Sequence, residues 1–157
     1  MKALRFSRFG DVQVVLHVEE LPGPVPGPGE VLIEVHAASI NPADVKNAQG
    51  SFPQTTLPRT PGRDLAGVIV EGDEERIGEE VWASGGDIGF TRDGSHAEYI
   101  AIPNTGARPK PKTLSMVEAA SVGTNYITAF LGLIKKPGLR NTRPFWSRVR
   151  VEAWGLP

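Results

Sequence analysis

Residues 21–29 carry a proline at every second position, and neither a helix nor a central strand can run through such a segment. Four prolines and three glycines lie in this stretch of nine residues. Proline lacks the backbone N–H and fixes φ, so the segment is predicted to be a stiff, extended connector. Gly and Pro are also frequent elsewhere, at 18 and 14 of the 157 residues. Turn-forming residues at this frequency favour many short strands over long helices.

The apolar pattern between these breaks predicts a mainly β domain. Glu30–Ala38 alternates well, with Val31, Ile33 and Val35 on one face, which is typical of a half-buried strand. A glycine within the strand at 65–71, Gly67, indicates a close backbone approach. The other predicted strands are 1–8, 12–18, 80–84 and 95–102.

Capping signals predict three short helices. Asn41, followed by Pro42 and Asp44, matches an N-cap, a first-turn proline and a first-turn acid. A Ser-x-x-Glu capping box, Ser115 to Glu118, opens a second helix. The third is predicted to begin after Gly123-Thr124. The sum is a small β-rich domain that closes with two helices.

Composition excludes several classes of protein. The formal net charge is −1 and there is no cysteine. Disulfides, iron–sulfur clusters and thiolate zinc sites are therefore excluded, and nothing electrostatic favours nucleic acid or an anionic membrane. The first residues lack the apolar core of a signal peptide, and no apolar run reaches the length of a membrane span. Cytoplasm is the expected location.

The residues alone leave the candidate chemistry open. Asn41 and Asp44 share one face of a helix start, where simple capping is the ordinary explanation. Arg63 and Asp64 are expected to form a local ion pair at a turn. The start of the third helix, at Gly123-Thr124, offers amides and a hydroxyl to an anion or a carboxamide, or only to its own cap. The scattered histidines His17, His36 and His96 are expected to be structural or exposed.

Four segments in order resemble one family, and the resemblance covers residues 1–136. Gly62-Arg63-Asp64-Leu65-Ala66-Gly67-Val68-Ile69-Val70 looks like the signature strand of medium-chain dehydrogenases/reductases, and residues 38–44, 89–99 and 119–129 match as well. Alcohol dehydrogenases of that superfamily have Gly-His-Glu at the first place and a zinc-binding cysteine where Asn41 stands. With Arg63 replacing the histidine, the chain resembles the zinc-independent quinone oxidoreductase (ζ-crystallin-like) branch.

The resemblance implies a fold, a cofactor and a set of site residues. The family has an N-terminal GroES-like domain, a partly open β-barrel, followed by a Rossmann domain that binds NADPH. Hydride passes to a quinone or an α,β-unsaturated carbonyl in the cleft, without zinc. On matching positions, Asn41 lies beside the nicotinamide ribose and Thr124 approaches the nicotinamide, and the catalytic candidates are Asn41, Asp44 and Tyr126. Lys46 stands where some members have tyrosine. Family members often form homodimers, commonly through the second domain.

The end of the chain departs from this pattern. Residues 135–157 hold six basic residues and one acidic residue, a net charge of +5, against −6 in the residues before them. Where the family has a glycine-rich dinucleotide turn, this chain has Ser147-Arg148-Val149-Arg150. A one-base shift of the coding frame permits a strand followed by Thr-Gly-Ala-x-Gly-Gly-Val-Gly.

We therefore expect a GroES-like domain at 1–136 and an aberrant basic tail at 137–157, the frameshifted start of a Rossmann domain. Such a fragment is expected to be inactive alone. A genuine divergent tail is the alternative explanation of 137–157. The alternative function is a stand-alone GroES-like module that binds a partner, with the basic tail contributing.

Overall fold

The computed structural model describes residues 1–135, which fall into two compact units. The first unit is Met1–Asn125, and the second begins at Tyr126. The tail predicted at 137–157, with its frameshift interpretation, lies outside the described residues. A search of the described helices finds none that is both long and apolar enough to cross a membrane.

The chain begins with a two-stranded antiparallel sheet. Strand β1 (Lys2–Arg5) pairs with β2 (His17–Glu20), and the short helix α1 (Val12–Val15) lies between them. The single strand predicted at 12–18 is therefore wrong in its first half. Asp11 explains the difference, because its side chain accepts a hydrogen bond from the N–H of Gln13 and caps a helical turn.

Five further strands form one antiparallel sheet in the order β6-β3-β4-β5-β7. These strands are β3 (Glu30–Ala38), β4 (Asp64–Glu71), β5 (Glu80–Ser84), β6 (Tyr99–Pro103) and β7 (Arg108–Pro109). The two sheets are open, and the prediction of a mainly β fold with short helices is confirmed. The strand predicted at 95–102 begins later, so that His96 lies in a bend before β6.

The apolar core confirms the predicted pattern of β3. Val31 and Ile33 are fully buried, and they pack with buried side chains of the neighbouring strands. The principal partners are Leu65, Ile69, Val81, Ile100 and Ile102. Burying side chains of this size contributes about 1.5–3 kcal/mol each. The predicted close approach at Gly67 is also confirmed, since a Cβ there would lie 2.0 Å from the carbonyl oxygen of Glu34.

Helix α2 (Pro42–Ala48) begins as predicted after Asn41. Helix α3 (Met116–Phe130) also begins at the predicted capping box, where Glu118 accepts from the Ser115 N–H at 2.8 Å. However, α3 runs unbroken through Gly123, so the separate helix predicted after Gly123-Thr124 is wrong. A π-helical turn, Leu131–Lys135, follows α3. Two 3₁₀ turns, Glu74–Arg76 and Asn104–Gly106, lie in the connections.

Candidate functional site

The first residue of β4, Asp64, is a fully buried carboxylate that accepts five hydrogen bonds. Its Oδ2 accepts from Ser39 Oγ at 2.9 Å and from Asn41 Nδ2 at 2.8 Å. Its Oδ1 accepts from Ser84 Oγ at 2.5 Å, and from the Thr124 N–H and Oγ1 at 3.0 and 2.9 Å. We call these five residues the Asp64 cluster.

Sheet topology assembles this cluster. Strands β3 and β5 flank β4, so the end of β3, the start of β4 and the end of β5 meet at one edge. Ser39 and Asn41 follow β3 directly, and Ser84 is the last residue of β5. Helix α3 completes the cluster because Gly123 has no side chain: a Cβ there would lie 2.4 Å from Asp64 Oδ1. That close approach places the Thr124 N–H and hydroxyl on the carboxylate.

The Asp64 carboxylate also fixes the direction of the protons around it. The hydroxyls of Ser39, Ser84 and Thr124 all donate to its oxygens. The Asn41 side-chain N–H₂ donates to Asp64 and, at 3.1 Å, to Ser39 Oγ. The Thr124 hydroxyl and the Asn41 amide therefore keep only acceptor capacity for any further partner.

Asp44 is a second buried carboxylate in the same region. Its Oδ2 accepts from the N–H of Asn41 at 2.7 Å and its Oδ1 from the N–H of Gly62 at 3.2 Å, which ties the start of α2 to the approach to β4. Burial raises the pKa of Asp44 above its ordinary 3.8, although the two N–H groups and the charge of His96 act in the opposite direction. Asp44 therefore holds a proton more readily than an exposed aspartate.

The side chain of Arg63 contacts different residues from those that contact Asp64. Its guanidinium carbon lies 4.1 Å from the ring centre of Phe90, and the rings of Phe90 and Phe52 are 5.0 Å apart. Nη2 donates to the carbonyl oxygen of Gly86 at 3.3 Å, whereas Nη1 is enclosed without a hydrogen-bond partner among the described residues. We call Arg63, Phe90 and Phe52 the Arg63 stack. Burial lowers the pKa of the Arg63 guanidinium, while Asp44 and Asp64 raise it.

The structure brings together three of the four site residues predicted from the sequence. Asn41 and Thr124 meet at Asp64, and Asp44 bonds to the Asn41 backbone. The fourth, Tyr126, is exposed and belongs to the second compact unit. Whether these four residues act as predicted stays a prediction.

Two local interpretations of the sequence are wrong. Arg63 and Asp64 do not form an ion pair. The Asp64 oxygens accept hydrogen bonds from Asn41 and Thr124, while the Arg63 guanidinium stacks on Phe90. The Thr124 amide is also no helix N-terminus for an anion, since it lies inside α3 and donates to Asp64.

Sequence reasoning missed the residues that bind the site together. Asp64 has a visible signal, an acid at the start of a strand that is otherwise apolar, and a charge in that position needs partners when buried. Ser39 and Ser84 have none, because a serine at a strand end is ordinary. His96, expected to be structural or exposed, is half-buried with Nε2 2.9 Å from the Ser39 carbonyl oxygen, a structural contact.

The donor set does not fit a zinc ion. No group of three or more His, Cys, Asp or Glu side chains within residues 1–135 is arranged to hold a metal. Arg63 is a cation beside Phe90, and the carboxylate oxygens of Asp64 are occupied by protein donors.

Comparison with known proteins gives consistent results. The profile of the alcohol dehydrogenase GroES-like domain matches residues 27–112. A zinc-type alcohol dehydrogenase-like protein of Schizosaccharomyces pombe is 44% identical over 135 residues, which is 85% of this chain and 42% of that protein. A 2-methylene-furan-3-one reductase of Solanum lycopersicum is 37% identical over 147 residues, covering 86% of this chain and 37% of the reductase.

A solved structure shares the fold. The quinone oxidoreductase of Coxiella burnetii superposes with a TM-score of 0.76 at 32% identity, covering 86% of this chain and 44% of the enzyme. The chain thus spans less than half the length of the relatives it matches.

Proposed function

This chain belongs to the alcohol dehydrogenase GroES-like domain family of the medium-chain dehydrogenases/reductases, and from that premise we propose that it is the substrate-side half of an NADPH-dependent reductase. The substrates proposed are quinones or α,β-unsaturated carbonyl compounds. Relatives named as a quinone oxidoreductase and as a 2-methylene-furan-3-one reductase support this class, since both names describe reduction of conjugated carbonyl compounds.

The observation that carries the proposal is the proton direction in the Asp64 cluster. A nicotinamide carboxamide presents an N–H₂ group, and a ribose presents hydroxyl donors. The Thr124 hydroxyl donates its hydrogen bond to Asp64, so its oxygen would accept a hydrogen bond from such a donor. The residues present therefore fit the nicotinamide end of the cofactor.

This fit assigns a role to the cofactor and to each of the surrounding residues. The cofactor supplies the hydride when it is bound. Asn41 and Thr124 would hold and orient its nicotinamide end, while the buried Asp64 keeps both side chains in one hydrogen-bonded arrangement. Asp44 fixes the start of α2 and thereby the Asn41 backbone. We propose that no zinc takes part, because the donor set around Asn41 and Arg63 does not suit that ion.

NADPH titration of the 157-residue chain, followed by two-dimensional NMR, tests this proposal. We expect weak, saturable binding with shifts centred on the Asn41 side-chain amide and the Thr124 amide. Binding is weak because the sequence carries no glycine-rich pyrophosphate turn. For the same reason we expect no quinone turnover by this chain alone.

A matched pair of variants sharpens the result. Thr124→Val removes the accepting oxygen and is expected to weaken NADPH binding several-fold. Thr91→Val, at an exposed threonine, serves as the control and is expected to change nothing. Shifts confined to other regions, or equal binding by both variants, would contradict the proposal.

A further inference from the structure

The guanidinium of Arg63 is held in place with most of its donors unused. A guanidinium has five N–H donors, and Arg63 forms one hydrogen bond to the described residues, at 3.3 Å to the Gly86 carbonyl oxygen. Its Nη1 is enclosed without a hydrogen-bond partner in residues 1–135. An enclosed donor without an acceptor destabilises the folded state, so its presence calls for a physical reason.

The Arg63 stack holds this group over an aromatic ring. Phe90 lies under the guanidinium and Phe52 lies against Phe90, and all three side chains are half-buried. The Nη2 edge is exposed where it meets Gly86, and Nη2 carries a second N–H besides the one that donates to Gly86, so an incoming oxygen has a donor to accept from. The stack thus places two aromatic rings, tilted 53° to each other, beside cationic donors.

The neighbouring residues cannot provide such donors. The hydroxyls of Ser39, Ser84 and Thr124 donate their hydrogen bonds to Asp64, and the Asn41 side-chain N–H groups donate to Asp64 and Ser39. A carbonyl oxygen accepts hydrogen bonds only, so the Asp64 cluster cannot bind one. Arg63, the residue next to Asp64 in the chain, is the group with donors to spare.

We propose that Arg63 binds the carbonyl oxygen of a planar conjugated substrate, whose ring packs on Phe90 and Phe52. The inference rests on the proposed function, because it assigns the substrate side of that same site. Arg63 is then the substrate-binding residue that selects for a carbonyl group, and the aromatic pair provides the apolar contact for its ring. A cationic donor also matches an oxygen that gains negative charge during reduction.

The test is binding of 1,4-naphthoquinone to the cofactor-free chain, followed by the ¹⁵N signals of the arginine side chains. Naphthalene, which has the same rings without oxygen, is titrated in parallel. The absence of cysteine means that the quinone finds no thiol to alkylate. We expect saturable naphthoquinone binding with its largest side-chain shift at Arg63, and much weaker binding of naphthalene.

Variants then assign the contact. Arg63→Met is expected to weaken naphthoquinone binding about 10-fold or more, and Arg63→Lys, which keeps the charge without the planar fork, less strongly. Arg8→Met makes the same charge change at an exposed arginine and is expected to have no effect. Circular dichroism confirms that each variant is folded, and the shift at Arg63 in the unmodified chain is independent of any variant.

The inference is overturned if naphthoquinone does not bind, if naphthalene binds equally well, or if Arg63→Met binds as tightly as the unmodified chain. These outcomes are separate from those of the proposed function. Arg63-dependent quinone binding without any NADPH shift at Asn41 and Thr124 contradicts the reductase alone. An NADPH shift at those residues with Arg63-independent quinone binding contradicts this inference alone.

Discussion

The Asp64 cluster and the Arg63 stack are centred on consecutive residues, yet the hydrogen-bonding groups of Asp64 are filled and those of Arg63 are mostly free among the described residues. Asp64 is fully buried and accepts five hydrogen bonds from four residues. Arg63 is half-buried and donates one long hydrogen bond among the described residues. The cluster connects the ends of β3 and β5 with β4 and α3. The stack connects the residue before β4 with two loops. We infer that the cluster stabilises the fold and that the stack is available for a ligand.

Asp64→Asn is expected to have the largest effect on stability. The new amide N–H₂ faces groups that donate, so at least two donors lose an acceptor in a buried place. We expect a loss of about 3 kcal/mol or more in the free energy of unfolding. Urea denaturation followed by far-UV circular dichroism measures it. Asp11→Asn is the matched control, because asparagine caps a helix as well as aspartate. A loss below about 1 kcal/mol for Asp64→Asn would remove the contrast between the two regions.

Gly123→Ala is expected to have the second largest effect. The added Cβ meets Asp64 Oδ1 at 2.4 Å and Ser84 Oγ at 2.5 Å, so α3 must move away from the cluster. We expect a loss of about 1–3 kcal/mol, despite the better helix propensity of alanine. Gly106→Ala is the control: a Cβ there meets nothing within 4 Å, and a small gain is expected. Equal effects of the two substitutions would show that the helix does not press on Asp64.

The sequence was informative where a local rule acts and silent where distant segments meet. The alternation of Glu30–Ala38 and the capping box at Ser115 depend on neighbouring residues, and both are confirmed. The break expected at Gly123-Thr124 does not exist, because the glycine serves contact with Asp64, 59 positions earlier in the chain, rather than a helix start. Asn41 was visible as a cap, but its side-chain bond to Asp64 depends on the pairing of β3 with β4. The frameshift at 137–157 stays a prediction that the coding sequence decides.

Asp44 gives a smaller effect that depends on pH. Burial raises the pKa of Asp44 in the folded state, so this state keeps the proton over a range in which the unfolded chain has released it. The stabilising contribution is fully present below the unfolded pKa of about 4 and is lost as the pH rises through the folded value.

The comparison of Asp44→Asn with the unmodified chain isolates this contribution. We expect the stability of the unmodified chain, measured relative to Asp44→Asn, to decline as the pH rises above about 4. Urea denaturation at several pH values checks it, with Asp11→Asn as an exposed control. A relative stability that rises with pH would mean that the backbone donors of Asn41 and Gly62 outweigh burial.

Arg63→Met is expected to have the smallest effect on stability. The guanidinium contributes one long hydrogen bond and its contact with Phe90, together about 1 kcal/mol or less, and the enclosed Nη1 opposes them. Urea denaturation of this variant beside Asp64→Asn sharpens the comparison directly. A loss as large as that of Asp64→Asn would make Arg63 a structural residue.

The position of β3 in the sheet also has a consequence for the chain during its synthesis. Strand β3 lies between β4 and β6, and its first residue, Glu30, pairs with Pro103. During synthesis one edge of β3 therefore stays without its partner until Tyr99–Pro103 have emerged. An apolar strand with an open edge is a template for pairing with other chains. We expect the nascent protein to be most prone to aggregation while the segments between β3 and β6 are being made. A chaperone would protect it during that interval.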